Sequence, residues 1–444
     1  MKRTYIGEID SNEEKNVLIK GFVDSLRDSR YMIFLVLKDI TGKIQITIEK
    51  ETHPEFCDII SRLSPDSIIS VVGMVNKNEY VKLGGVEVIP NKIVIESIAE
   101  ALPIVRKSIP ATKKKAEVIR SGIDQRIDYR WIDLRTEENQ LMFKVQTLMV
   151  NTMRKFLLDR NFIEIHSPKL IGTASESGSD VFHVDYFEGD AYLAQSPQFY
   201  KQMAMASGLE RIFETGPVFR AEKSYTSRHA TEFTGFDLEF SYIDSHFDVM
   251  KLEEELLTEM LKVVSQKYGK QIKDLFGVDV LVPHTPFPII ELHDLYDELE
   301  KNYDYKVNES EKDDLNTEAE QLSYKWVKEK YDHEFLFVTG FGADKRAFYH
   351  MRDDKGVPKG YDLIWRGVEI TTGAQREHRY DVLLKQAKEK GLDEDVKFYL
   401  EFFRYGCPPH GGFGIGIDRL TMLLFNIGIK DAMFIFRGPN RLTP

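Results

Sequence analysis

The sequence lacks cysteine pairs, long apolar runs and a signal-like start. Its 444 residues include two cysteines, Cys57 and Cys407, which are too few for a disulfide framework and do not have the CxxC spacing of a zinc site. No apolar run reaches the length of a membrane span, and the opening MKRTYIGEID lacks the apolar core of a signal peptide. These absences predict a protein of a reducing compartment, the cytoplasm, without a membrane partner.

Two common nucleotide-binding signatures are also missing. The chain contains neither GxGxxG nor GxxxxGK followed by Ser or Thr, so it offers neither a dinucleotide-binding Rossmann site nor a P-loop. Its composition of 42% hydrophobic, 30% charged and 11% aromatic residues is that of a folded enzyme and excludes a disordered chain. The length allows two or three domains with cores of their own.

The charge balance does not identify a partner. A net charge of −12 argues against nucleic acid when taken alone, but binding depends on local basic patches and not on the total. One such patch contains Arg106, Lys107, Lys113, Lys114, Lys115 and Arg120. It is either a solvated loop or a hinge that contacts phosphate, so composition leaves the partner open.

The first hundred residues follow the pattern of a small β-barrel, with short β-branched and aromatic runs separated by turns. The predicted strands are Val17–Asp24, Tyr31–Leu37, Ile44–Ile48, Ser67–Met74 and Gly85–Ile95, with one helix at Pro54–Leu63. Five strands with a helix after the third are typical of an OB-fold, which binds single-stranded nucleic acid. An SH3-like or other small barrel also fits this pattern.

The composition and periodicity of the sequence change near Pro103. Residues 103–136 are basic, contain two prolines and show no sustained period, which predicts a hinge. From Glu137 a helical stripe begins, formed by Leu141, Val145, Leu148, Thr152 and Phe156 with Met149 and Met153 beside it. A strand is predicted at 162–168. We therefore predict a barrel domain at 1–102, a hinge at 103–136 and a larger domain at 137–444.

The larger domain is predicted to be α+β. Further strands are predicted at 192–193, Ile212–Ala221, Phe236–Ile243, Phe335–Thr339, Gly360–Thr371 and Gly412–Ile417. Helices are predicted at Pro197–Ala206, Asp248–Ser265, Asn316–Glu329, Arg379–Lys390, Asp393–Arg404 and Arg419–Leu424. Because strands and helices do not alternate regularly, we expect a mixed, mostly antiparallel sheet flanked by helices.

The segment 219–233 (FRAEKSYTSRHATEF) carries the strongest chemical signal. If it begins as a strand, Arg220 and Glu222 point to the same face, because side chains alternate with period two. An arginine on a rigid strand can hold a phosphate through two hydrogen bonds, and Phe233 on the returning strand can stack on a purine. From these residues alone, a solvated hairpin and a nucleotide site both remain open.

Three segments resemble the motifs of class II aminoacyl-tRNA synthetases. The helix from Glu137 together with FIEIHSP resembles motif 1, FRAEKSYTSRHATEF resembles motif 2, and GFGIGIDRL at Gly412–Leu420 resembles motif 3. QSPQFYKQM at Gln195–Met203, RGVEITTGAQREH at Arg366–His378 and RYGCPPHGGFGIG are most similar to aspartyl-tRNA synthetases of archaea and the eukaryotic cytosol. The resemblance covers nearly the whole chain and implies an OB-fold anticodon-binding domain followed by a class II catalytic domain.

The resemblance implies a set of ligands for ATP and Mg²⁺. The implied ATP-binding residues are Arg220, Glu222, Arg228, His229, Phe233, Glu369 and Arg419. Arg220 would bind the α-phosphate, while Phe233 and Arg419 would enclose the adenine. Asp362, Glu369 and Thr372 match the positions that hold Mg²⁺ on the phosphates, and hard oxygens are the ligands that this ion prefers. Standing alone, each of these acids would be an ordinary surface carboxylate.

The implied aspartate site depends on two cations. In the resembled family, the residues at Lys201 and Arg376 hold the side-chain carboxylate of aspartate through charge-assisted hydrogen bonds. Asparagine would leave both charges partly unpaired, which costs roughly several kcal/mol. The other implied aspartate-binding residues are Glu176 on a lid loop, Gln198 and Asp237 for the α-ammonium, and Thr372. Without these motifs, Lys201 would be a solvent-reaching helix lysine, and the lid segment would be a plain surface loop.

The implied reaction needs no protein base in its first step, because the α-carboxylate of aspartate is already ionised. Catalysis then depends on positioning and on charge stabilisation by Arg220, Arg419 and Mg²⁺. In the second step the terminal ribose hydroxyl of tRNA attacks the mixed anhydride, and a phosphate oxygen of the adenylate is a candidate proton acceptor.

The barrel carries three residues that match anticodon-contacting positions: Phe34, Gln45 and Glu87. The phenylalanine would stack on a base, and the other two would read base edges. From the pattern alone, Phe34 could be barrel core and the other two could be exposed strand residues. Archaeal relatives that select strictly for tRNA-Asp tend to carry tryptophan where this chain has Asp24, so charging of tRNA-Asn as well as tRNA-Asp is left open.

The resulting prediction is an aspartate–tRNA ligase that uses ATP and Mg²⁺. A homodimer is expected, because motif 1 lies at a two-fold interface in the resembled family. Three rivals remain. An asparaginyl-tRNA synthetase is opposed by Lys201, and an ammonia-dependent asparagine synthetase needs no anticodon module. A non-catalytic RNA-binding relative is opposed by the intact motif residues, including Arg220 and Arg419.

Overall fold

The chain divides into two compact units, Met1–Ser121 and Gly122–Pro444, each with a hydrophobic core of its own. The computed structural model describes residues 1–10, 15–106, 120–172, 181–221, 223 and 228–444. Among the helices of these residues, none is both long enough and apolar enough to cross a bilayer.

The first unit contains a closed five-stranded barrel. Its elements are β1 (Asn16–Asp28), β2 (Met32–Lys38), β3 (Lys43–Glu49), α1 (Glu55–Ser61), β4 (Ile68–Lys77) and β5 (Val86–Ser97), preceded by a short 3-10 helix at Ile6–Glu8. The strand order is β1-β2-β3-β5-β4. Along β2, Ile33, Leu35 and Leu37 enter the barrel core, as period-two alternation requires. The predicted OB-fold is confirmed.

The predicted hinge at 103–136 is too long, because its second half is helical. The helices are α2 (Ile123–Asp128) and α3 (Arg130–Asp133). Arg126 and Arg130 are buried and pair with Asp133, and Arg126 also lies 2.6 Å from Asp431. These cations are bound inside the protein, so their charge does not indicate a solvated linker. Residues 107–119, with four predicted basic-patch lysines, lie outside the described residues.

The second unit is built on strands from distant parts of the sequence. They are β6 (Ile163–Glu164), β7 (Leu170–Ile171), β8 (His183–Tyr186), β9 (Gly189–Leu193), β10 (Arg211–Phe219), β11 (Glu232–Ser241), β12 (Ile289–Glu291), β13 (Phe335–Thr339), β14 (Gly360–Trp365), β15 (Val368–Arg376) and β16 (His410–Gly416). One sheet has the order β12-β13-β14-β15-β16-β11-β10-β6, and a small sheet has the order β7-β9-β8. In the large sheet, the pairs β6–β10 and β12–β13 are parallel and the other neighbours are antiparallel. The predicted mixed, mostly antiparallel sheet is confirmed.

The helices of the second unit that follow α3 are α4 (Glu137–Leu158), α5 (Gln198–Ala206), α6 (His246–Phe276), α7 (Leu292–Tyr303), α8 (Thr317–Tyr331), α9 (Tyr380–Glu389), α10 (Lys397–Glu401), α11 (Ile417–Phe425) and α12 (Ile429–Ala432). Helix α7 was missed by the sequence interpretation, although buried Leu292, Leu295 and Leu299 mark its apolar face at helical spacing. Helix α6 runs beyond Ser265 until Gly277, whose φ of 71° ends it.

The strand predicted at Gly360–Thr371 is wrong, because this segment turns back on itself. Arg366 and Gly367 have φ values of 50° and 76°, and they separate β14 from β15. Positive φ at both central residues is typical of a tight hairpin turn. The apolar run on either side concealed this turn in the sequence.

Helix α4 buries a slightly different stripe from the one predicted. Leu141, Val145 and Phe156 are buried as expected. Between them, Met149 and Met153, which were predicted beside the stripe, are fully buried, while Leu148 and Thr152 are only half-buried. The buried residues belong to one core cluster that also includes side chains of α6 and the large sheet. The strand predicted at 162–168 shortens to β6, at the open edge of that sheet.

Candidate active site

Eleven residues predicted from the sequence line one cavity of about 220 Å³ in the second unit. They are Gln198, Lys201, Arg220, Arg228, His229, Phe233, Asp237, Glu369, Thr372, Arg376 and Arg419. These side chains come mainly from α5, β11, β15 and α11, and β16 runs between β11 and β15. The order of the sheet therefore brings together positions that are far apart in the sequence.

Strand β16 presents glycine where the adjacent strand presents carboxylates. A Cβ atom on Gly414 would lie 2.5 Å from Oδ1 of Asp237, and one on Gly412 would lie 2.4 Å from Oε2 of Glu239. Such distances are shorter than any van der Waals contact, so a side chain at either position would displace its neighbour. Gly412 and Gly414 of GFGIGIDRL are therefore required by the space that these carboxylates occupy.

Replacing Gly414 by alanine should weaken amino-acid binding selectively. The new methyl group would push Asp237 away from Lys201, whose Nζ lies 3.1 Å from Oδ1. We expect the KM for the amino acid to rise about ten-fold, the loss of roughly one charge-assisted hydrogen bond, with little change in the KM for ATP. Steady-state kinetics will measure both. Gly269→Ala is the matched control, since its Cβ would meet Ser265 Oγ at an ordinary 3.5 Å; an equal rise of both constants would contradict the prediction.

Lys201 and Arg376 approach the same buried carboxylate, that of Glu239. Nζ of Lys201 lies 3.1 Å from Asp237 and 3.5 Å from Oε2 of Glu239. Arg376 donates from Nε to Oε1 of Glu239 at 2.9 Å and from Nη2 to the carbonyl of Gly412 at 2.8 Å. Both cations are 2% exposed, and both line the cavity. The structure thus brings together the two residues on which the predicted choice of amino acid depends.

Glu239 is a site residue that the sequence interpretation did not include. Its burial would raise the pKa of the carboxyl group, but Arg376 and Lys201 lower that pKa below its ordinary value, so the group is ionised. Within the described part of the chain, Oε2 accepts no hydrogen bond. A signal was present: Glu239 follows Asp237 by two residues on β11, so both side chains lie on the same face.

Gln198 and Asp237, predicted to bind an α-ammonium group, both line the cavity and are 4% and 8% exposed. Asp237 accepts a hydrogen bond from Lys201 through Oδ1. Gln198 donates from Nε2 to Oε1 of Gln202 at 2.7 Å. With its amide nitrogen engaged in the protein, Gln198 offers its carbonyl oxygen to the cavity. A carboxylate and a carbonyl are both acceptors, which suits a cationic donor.

Arg220, Phe233 and Arg419 form a second group in the cavity. The guanidinium of Arg220 lies 5.4 Å from the centroid of the Phe233 ring. Phe233 and Arg419 flank Gly416, because a Cβ atom there would lie 3.6 Å from Arg419 Cβ and 3.8 Å from Phe233 Cδ2. Burial lowers the pKa of Arg419, and nearby Glu369 opposes this effect. An aromatic ring and two cations fit a planar, anionic ligand such as a nucleotide.

Arg228 lines the cavity, but its guanidinium binds residues of α8. It donates to Glu320, and Nη2 donates to the hydroxyl of Thr317 at 2.8 Å. Burial raises the pKa of Glu320, while Arg228 acts to lower it. The sequence interpretation missed this partner because α8 carries no motif. The predicted role of Arg228 on ATP requires the guanidinium to exchange this ion pair for a phosphate.

Asp362, predicted to bind Mg²⁺, lies behind the cavity wall. Its two oxygens accept hydrogen bonds from Arg346 at 2.8 and 2.6 Å, and Oδ1 also accepts one from the hydroxyl of Thr372 at 2.9 Å. Asp362 is 3% exposed, and burial raises its pKa to about 6 against the opposing effect of Arg346. Because Arg346 occupies this carboxylate, direct metal binding by Asp362 requires that ion pair to open, and it stays a prediction from the sequence. Its contact with Thr372 makes it a support for that residue.

Glu369 and Thr372 are the predicted oxygen donors that do line the cavity, and Thr372 Oγ1 lies 3.2 Å from Glu369 Oε1. Among the described residues, no group of three or more His, Cys, Asp or Glu side chains could hold a metal ion by itself. One carboxylate and one hydroxyl fit Mg²⁺ that arrives with phosphate oxygens and keeps several waters.

Two predicted ligands lie outside the described residues. They are Glu176, on the predicted lid loop, and Glu222, in the motif 2 segment. Their assignments therefore remain predictions from the sequence.

The barrel brings its three predicted anticodon residues onto neighbouring strands. Phe34 alternates with core residues of β2 and is half-buried, so the interpretation of this side chain as barrel core is wrong. Gln45 pairs with Glu87 across β3 and β5. Glu87 is 4% exposed, so it is not an ordinary exposed strand residue. Its carboxylate accepts hydrogen bonds from Thr47, Asn78, Asn76 and Gln45, at 2.5, 2.9, 3.0 and 3.4 Å.

Comparison with known families matches both units. Residues 122–435 match the family described as tRNA synthetases class II (D, K and N). Residues 17–96 match the OB-fold nucleic acid binding domain. The two matches together account for most of the chain, and they agree with the two compact units of the structure.

Individual relatives align from end to end. The chain is 40% identical to an aspartate–tRNA(Asp/Asn) ligase of Methanopyrus kandleri, covering 100% of both proteins. It is also 40% identical to an aspartate–tRNA(Asp) ligase of Pyrococcus abyssi, over 97% of this chain and 96% of the relative. Among solved structures, an asparaginyl-tRNA synthetase of Pyrococcus horikoshii in complex with asparaginyl-adenylate superposes with a TM-score of 0.88 and 31% identity, covering 100% of both chains.

Proposed function

The chain belongs to the class II tRNA synthetases of the D, K and N group, and on that premise we propose that it activates L-aspartate and transfers it to tRNA-Asp. As an aminoacyl-tRNA synthetase it is a ligase that uses ATP. The proposed intermediate is aspartyl-adenylate, and the acceptor is the 3′ end of the tRNA. The observation that carries the choice of aspartate is the pair of buried cations, Lys201 and Arg376, in the cavity.

The charges of the cavity favour aspartate over asparagine. Lys201 and Arg376 are two cations, and Glu239 and Asp237 are the carboxylates that contact them. A substrate with one ammonium and two carboxylates adds acceptors for both cations and a donor for Asp237. Asparagine would bring an uncharged amide to the buried cations, which leaves their charge less compensated at a cost of roughly several kcal/mol.

The fold by itself does not separate these two amino acids. The solved relative with a TM-score of 0.88 is an asparaginyl-tRNA synthetase, yet the relatives at 40% identity are aspartate–tRNA ligases. One scaffold therefore carries both specificities, and the choice depends on individual side chains. Lys201, which the resemblance links to the aspartate enzymes, supports aspartate as the substrate.

The proposed first step is direct attack of the aspartate α-carboxylate on the α-phosphorus of ATP. Arg220 would bind the α-phosphate, and Phe233 and Arg419 would hold the adenine between them, which matches their positions around Gly416. The protein then contributes alignment of the reacting groups and stabilisation of charge on the phosphorus, without a proton transfer. Pyrophosphate is the leaving group.

Mg²⁺ is part of this proposal as the partner of the ATP phosphates. Glu369, supported by Thr372, would hold the ion, because both donate hard oxygen ligands to the cavity. When bound, the ion neutralises charge on the phosphates. Arg346 and Asp362 would contribute indirectly by fixing the hydroxyl of Thr372.

Anticodon reading is proposed for Phe34, Gln45 and Glu87 on the barrel. The half-buried phenylalanine offers a ring face for stacking, and Gln45 with Glu87 offers polar groups held by their neighbours. Asp24, where archaeal relatives that select strictly for tRNA-Asp tend to carry tryptophan, pairs with Lys43 at 3.0 Å. A charged pair replaces a large aromatic there, so we propose that tRNA-Asn is accepted as well as tRNA-Asp.

Two assays test this function. Purified protein should catalyse ATP–pyrophosphate exchange with L-aspartate at least about a hundred-fold better than with L-asparagine, from the charge argument above. It should then charge purified tRNA-Asp and tRNA-Asn in parallel reactions. Equal or better exchange with asparagine would replace aspartate by asparagine as the proposed substrate. Absence of exchange with either amino acid would support a non-catalytic relative.

We also propose a homodimer in the cytoplasm. The motif 1 segment leaves Leu158 at the end of α4 and Ile163 on edge strand β6 exposed by 54% and 47%. An exposed apolar edge strand is a surface that proteins usually cover. Sedimentation equilibrium should give twice the chain mass of 51.5 kDa under assay conditions. A monomer that retains full activity would contradict this proposal.

A further inference from the structure

A buried hydrogen-bond network of polar side chains lies behind the part of the cavity proposed to bind the amino acid. It links His410 at the start of β16, Gln202 on α5, Tyr399 on α10 and Gln198 on α5. His410, Gln202 and Tyr399 are 0% exposed and do not line the cavity. Only Gln198 reaches it, so the other three cannot bind a ligand directly.

The directions of the hydrogen bonds in this network are fixed first at His410. Nδ1 of His410 lies 2.8 Å from the carbonyl oxygen of Pro408, which can only accept, so Nδ1 carries the proton. Burial lowers the pKa of His410 to about 4, and the ring is therefore neutral. A neutral ring protonated at Nδ1 has an acceptor at Nε2.

This acceptor determines how the next amide is oriented. Nε2 of His410 lies 3.0 Å from Nε2 of Gln202, so the amide nitrogen of Gln202 donates to the ring. The carbonyl oxygen of Gln202 then points away from the ring, where it accepts from the hydroxyl of Tyr399 at 2.9 Å and from Nε2 of Gln198 at 2.7 Å. A reversed Gln202 would set a carbonyl against the ring lone pair and two amide nitrogens against each other.

We propose that Gln202, held by His410 and Tyr399, is the positioning residue that keeps the carbonyl oxygen of Gln198 turned toward the α-ammonium group of the substrate. This inference rests on the proposed function and deepens it. A freely rotating glutamine would present its NH₂ group to the cavity for part of the time, and an NH₂ group repels an ammonium. The buried hydrogen-bond network excludes that orientation before the substrate binds, which is a form of preorganisation.

The test compares two tight ligands that differ only in the ammonium group. One is a non-hydrolysable aspartyl-adenylate analogue, and the other is the same compound without its α-amino group. Calorimetry gives the dissociation constant of each ligand. The quantity compared is the ratio of the constant for the compound without the amino group to the constant for the complete analogue, which measures how much the ammonium group contributes to binding. In Gln202→Met, whose side chain has a similar length but no hydrogen bonds, we expect this ratio to fall about ten-fold. The dissociation constant of the compound without the amino group should change less than about three-fold.

Further variants separate positioning from general damage. Gln386→Met is the matched control, because Gln386 is likewise buried, at 3% exposure, but its amide donates to the backbone carbonyls of Phe348 and His350. It should leave the ratio unchanged. Gln198→Met removes the amide itself, and adding Gln202→Met to it should have no further effect on the ratio. If Gln202→Met does not fold, His410→Phe keeps the ring that stacks on Phe403 and removes the acceptor, and it should lower the ratio likewise.

The outcomes are distinct. An equal loss for both ligands in Gln202→Met, or an unchanged ratio, overturns the proposed positioning role. The same conclusion follows if the double variant loses more than Gln198→Met alone. Failure of the wild-type protein to activate aspartate in the exchange assay overturns the proposed function instead, because that assay does not depend on any variant of Gln202.

Discussion

Arg376→Leu is expected to lower aspartate-dependent ATP–pyrophosphate exchange about a thousand-fold, while ATP still binds. The guanidinium is buried and donates to Glu239 and to the carbonyl of Gly412. Truncating one partner of a buried, hydrogen-bonded charge pair between a protein and its ligand costs about 2–5 kcal/mol of binding, and about 4 kcal/mol lost from the transition state corresponds to roughly a thousand-fold in rate. Leucine also removes one of the two cations available to the substrate carboxylate. Exchange kinetics and a separate measurement of ATP affinity check the two parts of this prediction.

The structure shows what the control for this variant must be. Without Arg376, Glu239 would be left ionised and buried beside Lys201 alone, at 3.5 Å. The double variant Arg376→Leu with Glu239→Gln removes the unpaired negative charge of residue 239. It should recover thermal stability without recovering ATP–pyrophosphate exchange. If exchange returned with stability, the loss in the single variant would be a folding defect and the paired-cation site would be wrong.

Arg220→Ala is expected to lower the rate constant for adenylate formation by a factor of about a hundred to a thousand. Removing one fixed donor to a transition-state charge typically has an effect of this size. The KM for aspartate should change little, because Arg220 lies beside Phe233 in the nucleotide group and not beside Lys201. Pre-steady-state measurement of adenylate formation separates the two parameters.

A nearby arginine provides the comparison. Arg211 begins β10, and Arg220 directly follows the last residue of that strand. Arg211 is exposed, and its guanidinium lies 5.5 and 5.9 Å from the rings of Phe162 and Phe240. Arg211→Ala should leave adenylate formation within about two-fold of wild type. Arg220→Lys should recover only a small part of the rate, since lysine cannot bind a phosphate through two parallel hydrogen bonds. A comparable loss in Arg211→Ala would show that any change on β10 is harmful.

The barrel was predictable because its signals are local. Alternation in β2 is visible in seven consecutive residues, and the structure buries Ile33, Leu35 and Leu37 as that pattern requires. The motifs of the second unit were equally visible, and eleven of the residues chosen from them do meet in one cavity. The errors fall where local signals are weak: the turn at Arg366 and Gly367 lies inside an apolar run, and α2 and α3 lie in a segment that looks like a charged linker.

The sequence by itself determined the elements of the barrel, the order of the motifs and the kinds of side chain available for phosphate and carboxylate, because these depend on spacing along the chain. The partners of those side chains depend on the folded sheet. Glu239 between Lys201 and Arg376, Arg346 on Asp362, and Glu320 on Arg228 are contacts across 16 to 137 positions of the chain. A buried charge takes whichever opposite charge the packing brings within about 3 Å, and the sequence pattern around one residue does not specify the other. The tertiary structure therefore decided which predicted ligands face the cavity and which, like Asp362, are held behind its wall.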